Sequence, residues 1–140
     1  MENIIGLVLM GVFLLLGGLH VYWALGGRAG LAAAIPVTDR GPAFRPPRLL
    51  TLAVALGLVA FGAVALWLSH PQLAPPPLHA WLPIAGWVLV GIFFLRSVGD
   101  FRYVGFFKRV HGTLFATWDS RLYAPLCLAI ALSFLFLLLK

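Results

Sequence analysis

A chain of 140 residues that is 62% apolar, 10% charged and +1.02 in mean hydropathy carries far more apolar surface than one water-soluble core can enclose. Its formal charge of +6 has a topological origin, set out below, so no nucleic-acid partner is expected. A single cysteine, Cys127, leaves no second thiol for a disulfide or a thiol relay.

Spanning a bilayer's hydrocarbon takes about 20 mostly apolar residues in a helix. Four stretches of that kind follow one another: Ile4 to Leu25, Leu49 to Ser69, Trp81 to Phe101, and Leu122 to Leu139. Their apolar runs are continuous and do not alternate, which favours helices over a barrel. The expected fold is all-α, a polytopic four-transmembrane-helix bundle forming one domain over residues 1–140, with the lipid bilayer as its first partner.

The first stretch is too long for a signal peptide and begins Met1-Glu2-Asn3, without a basic leader, so it is read as a retained helix. Gly26, Gly27 and Gly30 read as its exit turn. Arg28, Arg40, Arg45 and Arg48 lie in the segment that follows, and Pro46-Pro47 delays the second helix to near Leu49. The connection from His70 to Ala80 has no Lys or Arg and is stiffened by Pro75-Pro76-Pro77. Arg96, Arg102, Lys108, Arg109 and Arg121 cluster after or late in the third stretch. Because Lys and Arg in short loops favour the cytoplasmic side, both basic segments are expected inside and both termini outside. Pro125 favours a fourth helix beginning near Leu122, with Asp119 and Ser120 in its polar entry. Gly11 and Gly18, or Ala53 and Gly57, offer small surfaces for close helix approach, within one bundle or across a homodimer.

Ionisable residues inside the spans mark the candidate site. Counting about 1.5 Å per residue places Arg96 roughly 22 Å inward from Trp81, and His20 roughly 24 Å inward from Ile4. Asp100 is one turn beyond Arg96, and a four-residue spacing predicts that the two neutralise each other. Arg102, Tyr103, Asp119 and Arg121 enter at the same level. In a structural reading these groups fix helix packing; in a functional one the surplus of guanidinium groups holds a carboxylate, phosphate or lipid headgroup. His70 and His79 fall on the opposite side from His20 and His111, so neither a metal nor a haem cofactor is expected. No HExxH, GxSxG or glycine-rich phosphate loop is present, and no catalytic residue is assigned.

The strings Leu19-His20-Val21-Tyr22-Trp23-Ala24-Leu25-Gly26-Gly27, Arg96-Ser97-Val98-Gly99-Asp100-Phe101-Arg102-Tyr103-Val104-Gly105-Phe106-Phe107 and Asp119-Ser120-Arg121-Leu122-Tyr123-Ala124-Pro125 resemble a family of small bacterial four-helix integral membrane proteins catalogued as a domain of unknown function. The resemblance implies a bacterial inner-membrane location and four spans, and no activity. The leading functional expectation is binding of an anionic or amphipathic small molecule, or a lipid, in the cytoplasmic half of the bundle through His20, Arg96, Asp100, Arg102, Tyr103, Asp119 and Arg121. The alternative is a structural or assembly subunit of a membrane complex. A membrane-embedded enzyme using Asp100 or His20 as acid or base stands third, without a nucleophile or metal to accompany it.

Overall fold

The computed structural model describes residues 1–140. Helix α1 runs Glu2–Ala24, α2 is a single turn at Leu31–Ala34, α3 runs Arg48–Ser69 and α4 runs Leu82–Val98. A helical segment then extends over Leu114–Leu139: α5 (Leu114–Trp118), a π-helical turn (Asp119–Tyr123) and α6 (Ala124–Leu139). Strands β1 (Val37–Thr38) and β2 (Gly41–Pro42) form a two-residue hairpin between α2 and α3. Three helical segments are long and apolar enough to cross a membrane, and α4 is a shorter apolar helix of 17 residues.

The breaks follow local chemistry. Gly26 (φ 103°) and Gly30 (φ 74°) take the left-handed backbone that turns the chain out of α1. Gly27 lies so close under the Tyr22 ring that a side chain there would collide with it. Trp23 Nε1 donates to the Ala29 carbonyl (2.8 Å), tying the same turn to the helix. Pro47 immediately precedes α3, Pro83 falls in the first turn of α4, and two 3-10 turns, Pro71–Leu73 and Pro76–Leu78, make the connection between them.

Two boundaries differ from the sequence expectation. The third helix stops at Val98 instead of Phe101, because Gly99 adopts φ 92° and leaves the helical register. The fourth begins at Leu114, not Leu122: Thr113 caps it by accepting from the Ala116 N–H (3.0 Å). Pro125 does not require the later start. It has no N–H and its ring crowds the preceding turn, and here the turn ahead of it widens to π geometry, with the Ala124 N–H reaching back to the Asp119 carbonyl. Asp119 therefore lies within a helical segment and faces the protein interior.

Helix α1 packs along α3 and α4 along α6, and the two pairs close into a four-helix arrangement. Phe13 fills the centre, with ring centroids 5.5 Å from Phe93, 6.0 Å from Phe61 and 6.2 Å from Phe134. Leu9, Leu89, Ile130 and Leu137 complete the core around it. The close approach of α1 to α3 uses Gly6 against Ser69, Gly17 against the Ala55 carbonyl, and Gly62 against Met10 and Phe13. Gly11, Gly18 and Gly57 meet no other part of the chain, so the close approach within the bundle uses glycines other than those expected.

Only 26 of the 140 residues are buried, so large apolar side chains such as Leu15, Leu56, Trp87 and Leu95 cover the outer surface. A water-soluble monomer rarely exposes patches of that extent, and the apolar helices are compatible with a multi-pass membrane protein. Glu2 and Lys140 form an ion pair, which puts both termini at one end. The other, basic end carries the 25–47 and 99–113 connections, where α2 packs against α5.

Candidate functional site

At the basic end the chain builds one buried charge centre, and its focus is Asp119. This side chain is wholly buried. Its Oδ1 accepts from Arg96 Nη2 (2.8 Å), and its Oδ2 accepts from Lys108 Nζ (2.9 Å) and from the Gly105 backbone N–H (2.8 Å). Lys108, with a side chain only 1% exposed, also donates to the Gly105 carbonyl (3.0 Å). A carboxylate removed from water needs this density of donors, because an unpaired buried charge costs several kcal/mol. The π turn brings Asp119 inward from the α5–α6 segment, α4 delivers Arg96, and the 99–113 connection delivers Gly105 and Lys108.

The same connection is folded against α4 by its own backbone. Asp100 Oδ1 accepts from the N–H groups of Arg102 (2.9 Å), Tyr103 (2.7 Å) and Val104 (2.9 Å). The Phe106 N–H donates to the Ser97 carbonyl (2.8 Å), while those of Arg109 and Val110 converge on the Arg102 carbonyl (3.1 and 2.9 Å). Gly99 and Gly105 make the fold possible. Both have positive φ, and a side chain at either would run into the backbone of the other strand of the loop.

These contacts correct the expected pairing. Arg96 bonds Asp119, 23 residues away, and Asp100 caps a loop instead of neutralising Arg96. The helical spacing that joined Arg96 to Asp100 does not survive the break at Gly99. His20 is also not assembled into the centre by a hydrogen bond: its Nδ1 is 2.8 Å from the Leu16 carbonyl, and its ring meets Trp23 edge-on. Arg102 lies over the Tyr103 ring, 5.1 Å from its centroid, and Arg121 is exposed on the π turn. Lys108, Gly105 and Gly99 are essential parts that sequence reasoning missed. The only local signal for Lys108 is its apolar flank, Phe106-Phe107, and neither its spacing nor its type marks it as buried.

The centre is electrically unbalanced. Two cations meet one carboxylate, and Arg96 Nη1 is buried without an acceptor although its side chain is 32% exposed overall. Chemically, such a group can hold an acceptor oxygen of a carboxylate, phosphate or water. The two principal grooves lie elsewhere. One, of about 270 Å³, lies at the terminal end by Trp67, His79 and Leu82; the other, of about 430 Å³, lies outside α1 and α3 by Leu14, Gly18 and Leu56.

No three His, Cys, Asp or Glu side chains gather as a metal-binding group. No curated protein and no solved structure matches the chain. The family model described as protein of unknown function (DUF3995) matches residues 13–134, and the chain belongs to that family.

Proposed function

We propose that this chain is a four-pass bacterial inner-membrane protein, with both termini outside, that holds an anionic headgroup or amphiphile at its cytoplasmic end. Support for four passes comes from the up-and-down order of α1, α3, α4 and α6 and from their apolar outer faces. Support for the orientation comes from the Lys and Arg residues, which fall in the two connections at one end. The observation that carries the binding reading is Arg96 Nη1, a buried guanidinium donor with no acceptor beside a centre with surplus positive charge. Arg102, Tyr103 and Arg121 supply further donors at the same end. Both oxygens of Asp119 and Oδ1 of Asp100 are taken up by internal donors, so this reading places the ligand on the cationic groups.

A second reading has its own support. With both Asp119 oxygens occupied and Lys108 sealed in, the centre serves equally well as a clamp that holds the 99–113 connection on the helices, as a structural or assembly subunit would require.

Arg96→Lys separates the two, because lysine keeps a cation for Asp119 Oδ1 but loses the second guanidinium nitrogen. The purified protein is titrated with short-chain phosphatidylglycerol, phosphatidylcholine and inorganic phosphate, with adducts read by native mass spectrometry. Phosphatidylglycerol is expected to bind, and its affinity to fall about tenfold in Arg96→Lys and in Arg102→Gln while melting stays near the parent's. Phosphate binding alone would indicate a free anion. If no anion binds, or if Arg96→Lys binds as tightly as the parent, the clamp reading replaces this one.

A further inference from the structure

Helix α4 is too short for the crossing assigned to it. Its 17 residues rise roughly 26 Å, against a hydrocarbon core about 30 Å thick. With Trp81 at the outer boundary, Val98 ends about 4 Å inside the inner one. The Gly99–Val110 stretch therefore starts within the membrane's inner edge. Irregular backbone at that depth is tolerated only where its polar groups are satisfied by protein.

That condition is met for most of the loop's N–H groups, the exceptions being those of Asp100, Phe101, Phe107 and Lys108. Asp100 takes up three backbone N–H groups, and those of Gly105, Phe106, Arg109 and Val110 also find protein acceptors. What the loop presents outward is apolar. Phe101, Phe106 and Phe107 are 58%, 46% and 62% exposed, and the rings of Phe101 and Phe107 lie 6.2 Å apart as one patch. Phe101 holds φ 60°, a conformation rare for a bulky residue, between Asp100 and the three N–H groups that Asp100 caps. Exposed Arg102 and Arg109 flank the patch, while Lys108 turns inward to pair with Asp119.

We infer that Gly99–Val110 is a lipid-inserted element that completes the third crossing: Phe101, Phe106 and Phe107 lie at the hydrocarbon boundary of the inner leaflet, and Arg102 and Arg109 meet anionic phospholipid headgroups. An aromatic patch bordered by cations matches the chemistry of that interface, whereas a loop in water gains nothing from three exposed phenyl rings on a rigid frame. The inference rests on the four-pass reading but not on a ligand at Arg96.

The test uses nitroxide labels on single cysteines in a Cys127→Ala background, with the full chain reconstituted in vesicles containing phosphatidylglycerol. Phe107→Cys and, independently, Phe106→Cys report on the patch. Leu15→Cys, on the outer face of α1, is the lipid reference, and Arg45→Cys, in the other basic connection, is the water reference. Collisions with oxygen, which concentrates in lipid, are compared with collisions with a water-soluble nickel chelate. Labels at 106 and 107 are expected to favour oxygen as Leu15→Cys does, with Arg45→Cys favouring nickel. Nickel-dominated labels at 106 and 107 beside an oxygen-dominated label at 15 would overturn this inference alone. Nickel dominance at all four sites would overturn the four-pass reading with it.

Discussion

Asp119→Asn is expected to destabilise the folded protein by about 3–5 kcal/mol, the usual cost of removing one partner from a buried ion pair. Asparagine is nearly isosteric and keeps one acceptor oxygen, so the loss is one of charge and not of volume. Its amide nitrogen would meet Lys108 Nζ and the Gly105 N–H, or else Arg96 Nη2, donor against donor. Lys108, almost fully enclosed, would be left without a counter-charge. Adding Lys108→Met should therefore restore part of the loss, because the second change removes the charge stranded by the first. Melting temperature in detergent reads the effect. Single and double variants whose losses simply add would mean that the two side chains are not coupled.

The second large effect is expected at Gly105. An alanine there would hold φ 86° and place its methyl group against the Val98 carbonyl and the Gly99 backbone. Backbone atoms on both sides cannot swing away as a flexible side chain would, so the loop must lift and carry the Gly105 N–H off Asp119. A loss of at least about 2 kcal/mol follows, more than the roughly 1–2 kcal/mol for left-handed backbone alone. Gly112 supplies the control: its φ is 85°, yet nothing lies near an added methyl. Gly112→Ala should therefore show the conformational cost without the collision. Equal melting of the two alanine variants would refute the close approach of Gly99 and Gly105.

The helices were legible because their causes are local. The apolar run of α1 was placed within two residues of its observed ends, and Pro47 and Pro83 announce their helix starts. The misreadings arose where a local signal had two solutions. Pro125 is compatible with a late start or with a π turn, and the cap at Thr113, lacking a glutamate three residues on, was too weak a signal to decide between them. The spacing of Arg96 and Asp100 implied a pair only while the helix was assumed to continue through Gly99. Once it stops, Asp100 is a loop cap and Arg96 takes a partner on another element. The sequence names Arg96 and Asp119 among the candidate residues but places Asp119 in a polar helix entry and does not pair the two. The role of Lys108 was not legible, because it depends on how a 15-residue connection folds back, and no periodicity encodes that.

Under either functional reading the Asp119 centre holds the 99–113 connection against the helices, and amide hydrogen exchange reads that hold residue by residue. In the parent protein the Gly105 and Phe106 amides, bonded to Asp119 Oδ2 and to the Ser97 carbonyl, should exchange far more slowly than that of exposed Gly112. In Asp119→Asn, studied below its melting temperature, both should approach the rate at Gly112 while amides in the middle of α1 remain protected. Fast exchange at Gly105 and Phe106 in the parent, or unchanged protection in the variant, would mean that Asp119 does not hold the connection in place.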